Sequence, residues 1–380
     1  MSKNRTWSKR RYGFEGAVEA KKVLEFYDKE LKIDPGFKAV WVTKGRTLEE
    51  MDKREEAIEC FDRALEIDPD YIFACIEKGE TLIKLGKREE AIVCFDRALE
   101  IDPGDSALWM AKGTALAQLG KPEDAIECYD ETLKIEPQLA GAWINKGLAL
   151  KSLGRQKEAI DHFNKAIDID PNFMVAWITK GTELGKLGKR EEALKCYDRA
   201  LEIDPNFVFA WVNKGTALSE LGKPEEALKC YDEALKIEPQ LAGAWINKGL
   251  ALKSLGRQKE AIDHFNKAID IDPNFMAAWI TKGTELGRLG KREEALKCYD
   301  RALEIDPNFV FAWVNKGTAL VELGKPEEAL KCYDEALEIE PQLAGAWYNK
   351  GTVLQVLGRR SEAIECYDTA LRLDPKYVNS

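Results

Sequence analysis

The chain has 380 residues, a formal net charge of -10 and a sequence pI near 5.2. This acidic balance argues against a nucleic-acid-binding protein, because such proteins neutralise phosphates with a basic face. No stretch approaches the roughly 18 consecutive apolar residues of a membrane-spanning helix, and the basic N-terminus lacks the apolar segment of a secretory signal. We therefore expect a cytoplasmic protein with no membrane and no nucleic-acid partner.

A 34-residue pattern runs in ten consecutive copies from Lys38 to Tyr377. Counted from the first residue of each copy, position 4 is aromatic (Cys75 is the exception), positions 7 and 8 are Lys-Gly, position 11 is Leu and position 32 is Pro. A fixed period of this length is typical of a solenoid, in which each unit buries its apolar face against its neighbours. Repeats 1 to 10 are residues 38–71, 72–105, 106–139, 140–173, 174–207, 208–241, 242–275, 276–309, 310–343 and 344–377.

Residues 1–37 precede these repeats as a basic tail and a degenerate partial copy. Trp7, Leu24 and Pro35 fall in register with the pattern, whereas Arg11 stands where the repeat has glycine. We predict a helix for the second half of this copy, while its first half lacks the full pattern. An atypical terminal copy is expected of a solenoid, whose end has only one neighbour.

The first half of each regular repeat predicts a helix. In repeat 4, Trp143, Gly147 and Leu150 lie on one face at helical spacing. Glycine is unfavourable inside a helix unless another group must approach closely, so its recurrence predicts tight packing. The helix ends at Leu-Gly, where glycine supplies a left-handed cap, and only Met51-Asp52 departs from this ending.

The second half predicts another helix, antiparallel to the first. Pro122, Pro224 and Pro326 suit its first turn, whose N–H groups have no intrahelical partner. Alanine at positions 20 and 27 allows close helix contact. An acidic residue followed by proline ends the helix, because the residue before proline is disfavoured in the α region. The predicted fold is therefore an all-α solenoid of helix pairs.

This pattern closely resembles the tetratricopeptide repeat (TPR), a 34-residue helix–turn–helix unit. The matching residues of repeat 4 are Trp143, Gly147, Ala159, Phe163, Ala166 and Pro171. The resemblance, to long arrays of prokaryotic or archaeal type, implies a right-handed superhelix with a concave groove that binds proteins or peptides. Lys at position 7 and Leu at position 11 depart from the family pattern. Pentatricopeptide repeats have a similar period and bind RNA, but they lack this Trp-Gly-Pro set.

The face of the first helix opposite positions 4, 8 and 11 carries positions 2, 5, 6, 9, 12 and 13, here called the groove face. The resemblance implies that it lines the groove. Position 5 is apolar in every repeat, and position 6 is often Asn, whose amide can both donate to and accept from a peptide main chain. The predicted peptide-binding residues are Asn145, Asn213, Asn247, Asn315, Asn349, Ile144, Ile178, Val212, Ile246, Ile280, Val314, Tyr348, Phe209 and Phe311.

Two alternatives bear on this groove. The co-chaperone type of TPR binds a C-terminal carboxylate with Lys at position 5, and that ligand is disfavoured because position 5 is never charged here. The other alternative is that stacking already covers position 5 and that the asparagines are only hydrated.

The lysine at position 7 of all ten repeats points toward the packed side of the first helix. An unpaired ammonium group there would be costly. We therefore predict a structural series of ion pairs with carboxylates of a neighbouring second helix, at position 31 or at position 25, where Asn164 and Asn266 replace the usual Asp.

The sequence offers no catalytic or metal site. Eight of the nine cysteines occupy position 23 of different repeats, too far apart for disulfides, which need Cα atoms within about 7 Å. His162 and His264 occupy the same position in the remaining cases, and a 34-residue spacing cannot bring ligands to one ion. We predict reduced cysteines, no cofactor and no enzyme activity.

Residues 139–240 recur as 241–342 with four changes. This larger unit reflects either a recent duplication or a groove whose chemistry repeats every three modules.

The chain ends without a polar capping helix, which favours a fragment of a longer protein or end-to-end self-association. The leading prediction is a scaffold that binds a protein or peptide; the alternatives are a self-associating array and the regulatory part of a larger protein.

Overall fold

The computed structural model describes residues 14–376. Over these residues the chain forms 21 α-helices and no β-strand, which confirms the predicted all-α architecture. From Lys38 onward each repeat contributes a 13-residue helix and a 14-residue helix. The helices are α1 (Phe14–Ile33), α2 (Lys38–Glu50), α3 (Arg54–Ile67), α4 (Ile72–Lys84), α5 (Arg88–Ile101), α6 (Ser106–Gln118), α7 (Pro122–Ile135), α8 (Ala140–Ser152), α9 (Gln156–Ile169), α10 (Met174–Lys186), α11 (Arg190–Ile203), α12 (Val208–Glu220), α13 (Pro224–Ile237), α14 (Ala242–Ser254), α15 (Gln258–Ile271), α16 (Met276–Arg288), α17 (Arg292–Ile305), α18 (Val310–Glu322), α19 (Pro326–Ile339), α20 (Ala344–Val356) and α21 (Arg360–Leu373).

The degenerate N-terminal copy contributes α1. The predicted second helix of this copy forms, but it begins earlier, at Phe14. Leu31 of this helix is buried, as its place in the pattern suggests. The positions of Trp7 and Arg11 lie outside the described residues.

The helices form two compact units, one ending at Glu183 and the other beginning at Leu184. Within each unit the two helices of a repeat pack together, and the second helix packs on the first helix of the next repeat, as α13 packs on α12 and α14. First helices of successive repeats also touch, for example α12 with α14 and α18 with α20. This stacking brings the groove-face positions of neighbouring repeats within each unit side by side.

Glycine at position 8 makes room for the aromatic ring at position 24. A Cβ atom on Gly215 would lie 2.6 Å from Cε1 of Tyr231, a side chain that is only 1% exposed. The predicted close approach is therefore confirmed. The left-handed caps are confirmed as well: Gly222 has φ 73°, and Asp52 adopts the same conformation in repeat 1.

The tryptophans at position 4 hold the turns that precede them. The Nε1–H group of Trp211 donates to the carbonyl of Pro205 at 2.9 Å. The same bond forms at all nine tryptophans of the repeats, at 2.9–3.0 Å. This contact links two recurring residues of the pattern, and periodicity alone did not predict it.

Eight of the ten position-7 lysines form the predicted ion pairs, and their partner is the Asp at position 25 of the preceding copy. Lys214 lies 2.6 Å from Asp198, with the lysine 24% exposed and the aspartate 49% exposed. We call the full set the lysine–aspartate ladder: Lys44–Asp28, Lys78–Asp62, Lys112–Asp96, Lys146–Asp130, Lys214–Asp198, Lys248–Asp232, Lys316–Asp300 and Lys350–Asp334. Half-exposed pairs of this kind contribute about 1 kcal/mol at most.

Position 31, the other candidate partner, has a different role. The side chain of Asp204 accepts a hydrogen bond from the backbone N–H of Asn206 at 2.9 Å, and Asp306 accepts the same bond from Asn308. These carboxylates therefore stabilise the turn after the second helix, as aspartate commonly does.

All nine cysteines are free thiols, and eight of them are buried. Burial raises the pKa of Cys128, Cys230 and Cys298 to about 11. At pH 8 a thiol with that pKa is about 0.1% thiolate, the reactive form.

We therefore expect the folded protein to react with an aromatic disulfide reagent at pH 8 more than tenfold more slowly than the same protein in denaturant. Release of the chromophore measures both rates. A fast reaction of most thiols in the folded protein would contradict this packing.

Burial also makes stability depend on pH, because the pKa of these thiols is higher in the folded than in the unfolded protein. Their contribution to the free energy of unfolding is complete below the ordinary pKa of about 9 and is lost as the pH rises to about 11.

Candidate functional site

Two of the predicted groove residues belong to the core instead. Ile144 is 3% exposed and packs with Ala166 and Ala176. Ile246 is 6% exposed and packs with Ala268 and Ala278 in the same way. The second helix of the same repeat and the first helix of the next repeat together cover each isoleucine, so neither can contact a ligand.

The other apolar residues of the groove face keep some surface. Phe209 and Phe311 are each 58% exposed, with their rings 6.0 Å and 5.9 Å from those of Phe207 and Phe309. The remaining position-5 side chains are half-buried: Ile178, Val212, Ile280, Val314 and Tyr348. The predicted apolar row is therefore interrupted, and its most exposed members are the two phenylalanines.

The position-6 asparagines are half-buried. In the first unit, Asn145 places its Nδ2 atom 3.8 Å from the sulfur of Met110. In the second unit, the side chains of four others have no hydrogen-bond partner among the described residues: Asn213, Asn247, Asn315 and Asn349. A half-buried amide without a partner is costly unless water or a ligand supplies one.

Threonine at the same position cannot substitute for asparagine. The hydroxyl of Thr281 donates to the carbonyl of Ala277 at 2.6 Å, within its own helix, and Thr179 does the same with Val175. Because these hydroxyls are already bonded to the backbone, they offer less to a ligand. In the second unit, Thr281 therefore interrupts the series of position-6 asparagines at repeat 8.

Charged side chains on the groove face of the second unit are already paired within the chain. Glu220 accepts from Arg190 at 2.6 Å, and Glu322 accepts from Arg292 at 2.7 Å. Lys253 lies 2.8 Å from Glu285. The face thus offers unpaired amides and apolar surface, whereas its charges are compensated.

Sequence reasoning missed two buried carboxylates at position 10. Glu285 is almost completely buried, and its Oε1 lies 2.8 Å from Nζ of Lys253 and 3.0 Å from Arg288. Glu183 is also buried, 3.4 Å from Nζ of Lys151. The other eight repeats have Ala, Thr or Val at this position, which was the available signal. These pairs join repeats 4 with 5 and 7 with 8, where Asn164 and Asn266 interrupt the lysine–aspartate ladder.

The two histidines have a packing role. The His264 ring lies 5.3 Å from the Trp245 ring, and burial lowers its pKa to about 4. His162 packs on Trp143 at 5.4 Å, and burial lowers its pKa too. No group of three or more His, Cys, Asp or Glu side chains within residues 14–376 is arranged to hold a metal ion.

Comparison with known proteins agrees with this architecture. Tetratricopeptide repeat models match residues 140–173, 175–207, 208–241, 242–275, 277–309, 310–343 and 344–377, and a second such model matches 50–115 and 82–144. No curated protein gives a significant match. None of the described helices has the length and apolar character needed to cross a membrane.

Several solved structures are similar to the chain. Yeast Tom70 is 16% identical, with a TM-score of 0.50 over 95% of this chain and 90% of its own. YrrB, described as a TPR protein with an unusual peptide-binding site, is 28% identical with a TM-score of 0.43, covering 48% of this chain and 95% of its own. MamA is 22% identical with a TM-score of 0.42, covering 44% and 92%.

Proposed function

Because the chain belongs to the tetratricopeptide repeat family, we propose that it is a non-catalytic scaffold that binds an extended peptide or protein segment on the groove face of its first helices. Tetratricopeptide repeats generally mediate protein–protein interactions. The residues retained for this role are Asn145, Asn213, Asn247, Asn315, Asn349, Ile178, Val212, Ile280, Val314, Tyr348, Phe209 and Phe311.

The single observation that carries the proposal is the set of unpaired asparagines in the second unit. Asn213 and Asn247 occupy successive repeats, and so do Asn315 and Asn349. Each amide provides a donor and an acceptor, and a peptide main chain repeats both groups at every residue. An extended chain laid across these helices would satisfy the amides whatever its sequence.

The apolar residues beside the asparagines would provide the remaining affinity. Phe209 and Phe311 project more than half of their surface into solvent, and exposed aromatic side chains are frequent anchors in binding sites. The compensated charges of Glu220 and Glu322 favour an uncharged or weakly charged segment. We therefore expect selectivity for apolar side chains.

Replacing Asn213, Asn247 and Asn315 together by alanine should weaken peptide binding about a hundredfold, because each neutral hydrogen bond contributes about 1 kcal/mol. The measurement is fluorescence anisotropy with labelled short peptides, selected for binding to the wild-type protein from a random-sequence array.

The matched control is Asn206→Ala with Asn308→Ala, which makes the same exchange in exposed turns away from the groove face. This variant should bind like the wild type. Equal affinity of the triple variant and the control, or the absence of any binding peptide, would rule out the proposed role of the asparagines.

A further inference from the structure

The lysine–aspartate ladder places a carboxylate beside the position-7 ammonium group. In repeat 7, a carboxylate oxygen of Asp232 lies 2.6 Å from Nζ of Lys248. The lysine is 19% exposed, and its ammonium group also lies over the Trp245 ring, 5.5 Å from the centroid. The pair repeats at eight junctions, so the geometry around the position-7 ammonium group accommodates a carboxylate each time.

At repeat 8 the ammonium group is present and its carboxylate is missing. Lys282 lies over Trp279 at 5.3 Å, as most of its equivalents lie over theirs, but Asn266 stands in the place of the aspartate. Lys282 has no ion pair among the described residues, and the Asn266 side chain has no hydrogen-bond partner there. A half-buried ammonium group and a half-buried amide thus occupy the two positions that form an ion pair elsewhere in the ladder, and we call this pair the open rung.

Lys282 of the open rung lines a cleft with a volume of about 560 Å³, together with Trp279 and Lys297. The acidic side chains of this cleft are paired with other partners. Asp300 lies 2.7 Å from Lys316, Glu304 pairs with Arg301 at 2.7 Å, and Glu294 pairs with Lys291 at 3.0 Å. Lys282 therefore faces the cleft without a carboxylate of its own.

We propose that the open rung binds a small oxyanion, a phosphate or a carboxylate, in the place that an aspartate carboxylate occupies elsewhere in the ladder. The Lys282 ammonium group donates to the anion, and the Asn266 amide, unlike an aspartate, also donates. Hydrogen bonds to a charged acceptor are about twice as strong as neutral ones. Trp279 forms the apolar wall beside the ammonium group. Asn164 and Lys180 repeat this pair in the first unit, which makes two sites per chain.

The test is isothermal titration of the full chain with inorganic phosphate, and separately with acetate, at constant ionic strength set by sodium chloride. The wild type should bind two equivalents of at least one of the two anions. Asn266→Asp should leave one site, and Asn164→Asp with Asn266→Asp should leave none, because each new carboxylate closes its rung. Aspartate stands at this position at eight junctions, so both variants should fold, as circular dichroism can verify.

A gain of function provides the matched control. Asp232→Asn opens a third rung at Lys248 and should add one binding equivalent. Binding of only one of the two anions would identify the ligand as phosphate or carboxylate. Equal binding by the wild type and the double aspartate variant, or no binding of either anion, would overturn the proposal. These titrations contain no peptide, so their outcome is independent of the groove.

Discussion

Substituting Gly215 with alanine is expected to destabilise repeat 6 by about 2 kcal/mol, since overpacking a well-filled core costs about 1–3 kcal/mol. The new Cβ would lie 2.6 Å from Cε1 and 2.9 Å from Cζ of Tyr231. That ring is 1% exposed and is held between α12 and α13, so it cannot move aside without disturbing its neighbours. This loss outweighs the gain of about 1 kcal/mol that alanine normally brings to a helix.

Gly243 provides the matched control in the same kind of helix. A Cβ atom there would meet nothing within 4 Å, so Gly243→Ala should leave stability unchanged or raise it by up to about 1 kcal/mol. Hydrogen exchange of peptides from repeat 6 and repeat 7 measures the two effects locally, which suits an array whose repeats need not unfold together. Equal protection in both variants would show that the Tyr231 ring is not tightly packed.

The second large effect is expected at the buried carboxylate of repeat 8. Lys253→Met removes the ammonium group 2.8 Å from Glu285. It leaves a carboxylate that is 1% exposed and whose one remaining charged partner within residues 14–376 is Arg288. Breaking a buried ion pair from one side typically costs about 3–5 kcal/mol. Because Arg288 remains, we expect about 3 kcal/mol of destabilisation, measured by urea denaturation and by hydrogen exchange of α16.

Combining Lys253→Met with Glu285→Ala should restore most of this stability. Alanine stands at position 10 in repeats 3, 4, 6, 7 and 9, so it fits the site, and removing both charges eliminates the desolvation cost. The double variant should therefore be more stable than Lys253→Met alone. A double variant less stable than the single one would show that the carboxylate has another essential partner.

Most of the fold could be predicted from the sequence, because each helix pair is specified locally and ten times over. The caps at Gly222 and its equivalents, the packing of Gly215 and the ion pair of Lys214 depend on residues whose places in the repeat are fixed. Because the pattern recurs in ten copies, an atypical residue in one copy does not obscure the assignment of its helices. The prediction did not separate positions 25 and 31, since both carry acids on the second helix or at its end.

The candidate site was less predictable, because exposure depends on neighbours. Ile144 is buried, while Ile178, the same residue type at the same position, is half-buried. Residue type and repeat position are identical, so the pattern of one repeat could not distinguish the two side chains. Burial of Glu285 was not predicted for another reason, because position 10 lies outside the groove face.

The bond between each tryptophan and the preceding proline bears on how the chain can be divided. Trp211 is the fourth residue of repeat 6, but the carbonyl of Pro205 that accepts its hydrogen bond belongs to the end of repeat 5. The modules joined by hydrogen bonds are therefore offset from the 34-residue sequence copies. A fragment that begins at Val208 would leave the indole N–H group of Trp211 without its acceptor. A fragment that begins at Asp204 would retain this hydrogen bond.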